Sequence, residues 1–108
     1  MFQHFFNKVR PPRVPKVHIA IGTLKLSEMV CWLDRRCLLD PMPYVQRHRR
    51  GDWGDVDDEQ HSSNQDALEH AGDLYSSYHV TPSLTLVVIS NEDRSETIVQ
   101  LQEERSLF

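Results

Sequence analysis

The sequence predicts an α+β fold: a three- to four-stranded, mainly antiparallel sheet with about three helices packed on one face. Two observations lead to this prediction. Residues 74–101 contain three apolar segments that are rich in β-branched residues and separated by turn residues, which is typical of an antiparallel meander. Residues 27–71 instead carry apolar residues at helical spacing after favourable capping residues. At 108 residues the chain has room for one hydrophobic core, which both kinds of element must share.

The first strand is predicted at residues 17–22, where every second residue is a branched apolar one, as in a strand with one buried face. Ser27 is a favourable N-cap, so the first helix is expected to start directly after it. The apolar residues of this helix recur at helical spacing and predict its buried face, which comprises Val30, Leu33 and Cys37 with Met29 and Trp32 at its margins. Trp32 is accordingly expected in the core.

The second helix is predicted at residues 41–50. Asp40 followed by Pro41 is typical of a helix start, and Gly51 is typical of a helix end. The residues along one side of this helix, which we expect to face the core, are Tyr44, Val45 and His48.

The third helix is predicted from Asp57 to about Ala71. Asp57 and Gln60 have the spacing of a capping box, and the acidic residues around them favour the positive N-terminal end of a helix. Gly72 is expected to supply the left-handed conformation after the last turn. The inner face of this helix comprises Asn64, Ala67, Leu68 and Ala71. A buried Asn64 needs hydrogen-bond partners, because an unpaired polar group costs about 1–3 kcal/mol.

The strands of the C-terminal meander are predicted at residues 74–80, 84–89 and 97–101. Residues 84–89 are the most apolar and most β-branched run of the chain, so they are expected to form the central strand. One layer of helices covers only one face of such a strand. The other face is therefore expected to be covered by residues 1–16 or by a second subunit, and the latter would give a homodimer through the sheet.

The chain is predicted to have three parts. Residues 1–16 form a Pro/Arg-rich N-terminal arm, because three prolines within five residues exclude a helix there. Residues 17–102 form a single α+β domain, and residues 103–108 form a frayed C-terminal tail.

The charge of the chain is unevenly distributed. The net charge is −4 at pH 7, but residues 1–50 carry ten Lys and Arg against three Asp and Glu, whereas residues 51–108 carry two against thirteen. This balance argues against general nucleic-acid binding and leaves room for a local basic patch in the first half.

No apolar run reaches the roughly 18–20 residues of a membrane span, so we expect a cytoplasmic protein. Cys31 and Cys37 lie six positions apart, too far for a disulfide within one helix, and are interpreted as free thiols.

Residues 47–55, with the sequence RHRRGDWGD, hold most of the candidate functional residues. The imidazole and carboxylate groups in and after this segment are of the types that ligate metals; they belong to His48, Asp52, Asp55, Asp57 and His61. Their spacing is not that of an EF-hand, and the cysteines lack the CxxC spacing of a zinc site. The acids are therefore interpreted as helix caps and solvated charges, and we predict neither a metal nor a cofactor.

Two functional interpretations of this segment stay open. In the first, His48 forms an acid–base pair with Asp52 or Asp55. Asn64 and Arg94 are then expected to converge on the same place. In the second, a basic cluster followed by an aromatic ring, which could equally fill the core beneath the turn, binds an anion or a protein partner. The residues of this cluster are Arg47, Arg49, Arg50 and Trp53.

A GDWGD motif at residues 51–55 and a DRS-x-T hairpin at residues 93–97 occur together in this chain. The further residues that accompany them are Arg47, His48, Asn64, Ala67, Leu68, Tyr78 and Ile89. This combination, which spans residues 17–101, resembles a family of small, uncharacterised bacterial proteins that are plasmid-related or associated with mobile elements. The resemblance implies a bacterial cytoplasmic setting and an accessory-gene role. The chain departs from the family pattern in its first sixteen residues, at Ser90 and Asn91, and in its C-terminal tail.

The motif residues also predict a structural latch. Arg94 lies at the mouth of the last hairpin, which the third helix is expected to cover. Arg94 would then pair bidentately with Asp52 or Asp55 and lock the turn between the helices.

The leading functional hypothesis is a non-enzymatic accessory protein of a bacterial mobile element that acts by binding another protein. In one form of this hypothesis it inhibits a host DNA-targeting system, and residues 52–73 present acids in place of phosphates. The first alternative is a small enzyme for a nucleotide or phosphate substrate that uses His48 and Asp52 as its acid–base pair. The second is nucleic-acid binding through the basic N-terminal half.

Overall fold

A computed structural model describes residues 18–104, and these residues form a four-stranded mixed sheet and three helices. In chain order the elements are β1 (Thr23–Leu26), α1 (Glu28–Arg35), α2 (Met42–Arg49), α3 (Asp58–His70), β2 (Leu74–Thr81), β3 (Leu84–Ser90) and β4 (Glu96–Leu101). The predicted α+β class, the order of the helices and the C-terminal meander are confirmed. The predicted arm at residues 1–16 and the end of the predicted tail, residues 105–108, lie outside the described residues.

The strands are arranged in the order β1-β4-β3-β2. The two hairpin pairs, β2 with β3 and β3 with β4, are antiparallel. β1 is parallel to β4, with Thr23 opposite Glu96 and Leu26 opposite Val99. The sheet is therefore mainly antiparallel, as predicted, and the predicted central strand, β3, has a neighbour on both sides.

The first strand lies at Thr23–Leu26, so its prediction at residues 17–22 was wrong. Gly22 has a φ of +60°, and a Cβ there would lie 2.2 Å from the carbonyl oxygen of Ser95. The chain therefore turns at Gly22, directly against the last hairpin, and pairs with β4 only after this turn. The preceding residues run towards α2 instead, where the Ile19 N–H donates to the Arg49 carbonyl at 2.9 Å.

All three helices pack on the same face of the sheet. The cluster under α1 and α2 consists of Val30, Leu39, Val45, Tyr78, Leu86, Val88, Val99 and Leu101. The cluster beside α3 consists of Ile19, Trp53, Ala67 and Leu74. Directly paired residues on neighbouring strands point to the same side, and the pairing puts every strand residue of both clusters on one face. On the other face Val87 and Ile98 are also buried; the predicted homodimer through the sheet stays a prediction.

The helix ends follow the sequence signals in most respects. The Ser27 hydroxyl accepts from the Val30 N–H at 3.2 Å, and the Asp57 carboxylate accepts from the Gln60 N–H at 2.8 Å. Both predicted N-caps are thereby confirmed. The end of α3 differs, because Ala71 itself adopts a positive φ of 89°, where Gly72 alone was expected to do so.

Trp32 is 42% exposed, so its predicted place in the core was wrong. α1 has only eight residues and buries Val30. Trp32 follows Val30 by two positions and so points about 200° away around the helix. Its ring is instead covered in part by the Arg36 guanidinium, which lies 4.1 Å from the ring centroid. Both cysteines are free thiols, as predicted.

Asn64, on the inner face of α3, completes the outer edge of β2. Its Nδ2 donates to the Tyr75 carbonyl at 2.8 Å, and its Oδ1 accepts from the Tyr75 N–H at 3.1 Å. The same Oδ1 accepts from the Gln60 side chain at 3.0 Å. The partners that the buried Asn64 requires are therefore the main-chain groups of an edge strand, which would otherwise be unpaired.

Replacing Asn64 with Ala should lower the free energy of unfolding by about 2–4 kcal/mol, because two backbone groups of Tyr75 lose their partner. Urea denaturation of the variant and the wild type measures this loss. The matched control is Gln65→Ala, which truncates an exposed neighbour on the same helix and should change stability by less than about 0.5 kcal/mol. An Asn64→Ala loss no larger than that of the control would contradict this role of Asn64.

Candidate functional site

The turn between α2 and α3 is closed by an ion pair between Arg47 and Asp52. The Arg47 Nε lies 2.7 Å from Asp52 Oδ2, and the second oxygen accepts from Arg47 Nη2 at 3.3 Å and from the Gly54 N–H at 3.1 Å. The hydrogen bond from Arg47 lowers the pKa of Asp52 below its ordinary value, and partial burial opposes this shift. The Arg47 guanidinium also lies 4.6 Å from the centroid of the Tyr78 ring. The Asp52 carboxylate is thus ionised and already paired.

Arg94 does not pair with Asp52 or Asp55, so the predicted latch was wrong in its partners. The Arg94 guanidinium donates only to main-chain carbonyls among the described residues, those of Gly72, Asn91, Glu92 and Ala67, at 2.6–3.3 Å. The last carbonyls of a helix lack partners within the helix and carry a partial negative charge. Arg94 therefore fixes the C-terminal end of α3 to the turn between β3 and β4.

Residues 53–55 lie along the outer edge of β2 as an extended segment. The Trp53 carbonyl accepts from the Ser77 N–H at 3.1 Å, and the Asp55 N–H donates to the Ser77 carbonyl at 2.6 Å. The Asp55 carboxylate then accepts from the His79 N–H at 2.9 Å. Gly54, between them, has a φ of +74°, and a Cβ there would lie 2.2 Å from the Ser77 carbonyl oxygen. Only glycine fits at position 54 of the GDWGD motif, because any side chain there would collide with β2, and Asp55 then bonds to the same strand.

Trp53 fills the core beneath the turn, which was one of the two roles left open by the sequence. It is 3% exposed and belongs to the same cluster as Ile19 and Leu74. Its ring meets the His48 ring edge-on, with 5.7 Å between the centroids. The indole therefore contributes apolar packing and is not presented at the surface.

His48 lies in the closed core of the protein and bonds to hydroxyl groups of the sheet. Its Nδ1 is 2.5 Å from the Ser76 hydroxyl and its Nε2 is 2.9 Å from the Ser90 hydroxyl. Ser90 in turn lies 2.7 Å from the Thr97 hydroxyl, and all four residues are 0% exposed. Burial, with a smaller contribution from the positive charge of Arg94, lowers the pKa of His48 to about 4. The imidazole is therefore neutral at pH 7 and out of contact with solvent.

The candidate catalytic residues occupy four separate places. His48 is in the core, Asp52 is at the turn after α2, Asn64 is at the edge of β2 and Arg94 is at the β3–β4 turn. Asp55, the fifth candidate, also lies at the edge of β2. Neither Asn64 nor Arg94 forms a hydrogen bond with His48 in the described residues, and Arg94 acts on His48 only through its charge. The partners that sequence reasoning missed are the three hydroxyls around His48. Their signal was weak but present, since Ser76 alternates with the apolar Leu74 and Tyr78 on the inner side of β2.

The predicted basic cluster is only partly available at the surface. Arg47 is held by Asp52, and the Nε of Arg49 is buried with no hydrogen-bond partner among residues 18–104. Arg50 is exposed. Within residues 18–104, no three His, Cys, Asp or Glu side chains are placed so that they could hold a metal ion.

A group of exposed acidic residues follows the turn. Residues 51–73 contain eight Asp and Glu and no Lys or Arg, and all eight acids are exposed. We call these residues the acidic surface; they are Asp52, Asp55, Asp57, Asp58, Glu59, Asp66, Glu69 and Asp73. Some have local roles, as in the Asp57 cap and the pair of Asp66 with His70 at 3.0 Å. Side chains that form no ion pair or hydrogen bond in the described part of the chain include Glu59, Glu69 and Asp73.

Comparisons of this chain with protein-family models, curated protein sequences and solved structures find no match. The resemblance to mobile-element proteins stays a prediction from the sequence. Of the helices in residues 18–104, none has both the length and the apolar character required to cross a membrane.

Acidification should lower the free energy of unfolding because His48 is buried in its neutral form. Its pKa is about 4 in the folded protein and 6.5 ordinarily, so between these values the unfolded chain binds a proton that the folded chain does not. The stability is fully present above pH 6.5 and is lost as the pH falls towards 4, by up to about 3 kcal/mol.

Urea denaturation at several pH values between 4 and 7 measures this effect. His48→Gln retains hydrogen-bonding groups but does not titrate, so its stability should change less over this range than that of the wild type. His61→Gln, at an exposed position of α3, is the matched control and should keep the wild-type slope. Equal slopes for the wild type and His48→Gln would show that His48 is not the group that titrates.

Proposed function

We propose that this protein is a non-enzymatic accessory protein that acts by binding a basic protein through its acidic surface. The observation that carries the proposal is the exposure of all eight acids of residues 51–73 in a stretch without Lys or Arg. Repulsion between like charges destabilises a compact chain. A partner with a positive surface would relieve the repulsion between these carboxylates, and this relief would strengthen its binding.

The state of the candidate catalytic groups also supports a binding role. An acid–base pair must reach a substrate and exchange a proton with it. His48 is buried and bonded to hydroxyls of two strands, and Asp52 is paired with Arg47. Both groups stabilise the fold, which leaves the acids of the surface that form no ion pair or hydrogen bond, among them Glu59, Glu69 and Asp73, as the groups without a structural explanation.

The partner class that fits is a DNA-binding protein. Proteins that bind DNA place Lys and Arg opposite a line of phosphates. α3 and the turns at its two ends present carboxylates at their surface, and these would occupy the sites of such phosphates. A DNA-targeting protein of a bacterial host is therefore the proposed target, and the mobile-element setting rests on the sequence resemblance.

The test is capture of proteins from a nuclease-treated bacterial lysate on the immobilised chain, followed by elution with increasing salt. We expect the wild type to retain DNA-binding proteins that are released by salt and by added duplex DNA. The variant Glu59→Gln/Glu69→Gln/Asp73→Asn removes three charges of the acidic surface and should lose most of this capture.

The matched control is Asp34→Asn/Glu92→Gln/Glu103→Gln, which removes three exposed charges outside the acidic surface and should retain the same proteins as the wild type. Recovery of chaperones alone would contradict the proposal. Equal capture by both triple variants would contradict it as well.

A further inference from the structure

Four large apolar side chains among the described residues are exposed within one stretch of the chain, residues 29–42. Leu38 is 63% exposed, Met29 45%, and Trp32 and Met42 42% each. They belong to α1, to the start of α2 and to the loop between them. A tryptophan left exposed on a short helix is costly to hydrate. Met29 and Trp32 lie three positions apart on α1 and line the same groove, so they form an apolar strip that a second molecule would bury favourably.

The charged residues beside Trp32 follow a particular order along the chain, with an acid before it and two bases, Arg35 and the Arg36 that partly covers its ring, after it. Glu28 lies four positions before Trp32 and Arg35 lies three positions after it, so both are close to the same side of the helix. Both are exposed, and neither forms an ion pair or a side-chain hydrogen bond with another described residue. Together with Met29, and with Glu104, whose carboxylate accepts from the Ser27 hydroxyl at the start of α1, they line an open groove. We call Glu28, Met29, Trp32 and Arg35 the α1 face.

We propose that the α1 face is the interface of a homodimer, in which α1 packs antiparallel to the same helix of a second copy. A twofold axis near Trp32 brings Glu28 opposite Arg35 of the partner subunit, and Arg35 opposite Glu28 of the partner subunit. The antiparallel arrangement also places the helix dipoles favourably. The order acid, tryptophan, base is therefore complementary to itself, which makes a second copy the occupant that the surface fits.

The position of α1 allows this dimer without covering the acidic surface. α1 contacts β4, whereas α3 contacts β2 at the other end of the strand order. Stable dimers bury about 800 Å² on each partner, from roughly 20–30 residues a side, whereas the α1 face consists of four residues. We therefore expect a dimer whose population depends on concentration. This inference is independent of the proposed function.

Sedimentation equilibrium over a range of concentrations tests the proposal with three single variants. The wild type should change from one to two chain masses as its concentration rises. Glu28→Arg and Arg35→Glu each put like charges opposite one another in the dimer, so each should weaken dimerisation at least tenfold. The matched control Asp34→Arg reverses a charge on the opposite side of α1 from Trp32 and should dimerise like the wild type.

An equimolar mixture of the Glu28→Arg and Arg35→Glu chains should recover the dimer. In this heterodimer one chain carries two bases and the other two acids, so both opposed pairs are again attractive. The mixture also shows that the single variants are folded. A wild type that stays monomeric at every concentration would overturn the proposal. So would a dimer that neither single variant weakens, or a mixture that dimerises no better than its components.

Discussion

The outer edge of β2 is the constraint on which the rest of this structure depends. An edge strand leaves every second N–H and C=O without a strand partner, and these groups must bond elsewhere when they are covered. Here Tyr75 bonds to the side chain of Asn64, Ser77 bonds to the main chain of residues 53–55, and the N–H of His79 bonds to Asp55. The segment between α2 and α3 therefore has to run extended along β2, with a turn before it and a helix start after it.

This constraint explains the GDWGD motif in structural terms. Gly51 adopts a positive φ of 81° where α2 ends. Asp52 closes the turn onto Arg47, and Trp53 enters the core on the inner side of the extended segment. Gly54 allows the close approach to β2, and Asp55 bonds to it. Each residue of the motif thus has a role in joining two helices to one strand, which is why the motif by itself does not indicate chemistry.

The buried His48 joins α2 to the sheet in a similar way. Its ring nitrogens meet hydroxyls of β2 and β3, and a third hydroxyl, from β4, continues the row. Such a fully bonded polar row fixes one relative position of helix and strands, because any shift would leave a buried polar group unpaired. The same residue type in an open cleft would be a candidate base. The difference lies in burial, which depends on the whole fold.

The parts of the structure that could be predicted were those with local causes. The meander followed from alternation and turn residues, and the starts of α1 and α3 followed from Ser27 and Asp57. The first strand could not be located, because the alternating residues before Gly22 resemble a strand as much as those after it, and the turn at Gly22 is set by contact with the distant β3–β4 turn.

The side-chain partners had tertiary causes, and the sequence did not reveal them. Arg94 bonds to carbonyl groups, which carry no sequence signal. The two tryptophans were harder still to assign. Trp32 and Trp53 both lie beside apolar residues in the sequence. Trp32 is exposed because of the direction in which the short helix α1 turns it, and Trp53 is buried because of the path of the chain along β2.

Amide hydrogen exchange, followed by NMR at neutral pH, tests the closed edge of β2 most directly. We expect the amides of Tyr75, Ser77 and His79 to exchange as slowly as those of the interior strand β3, because each has a hydrogen-bond acceptor in residues 53–55 or in α3. Exchange of these three amides at the rate of the exposed turn residues 92–93 would show that the edge is open and would contradict the structural role assigned to residues 53–55.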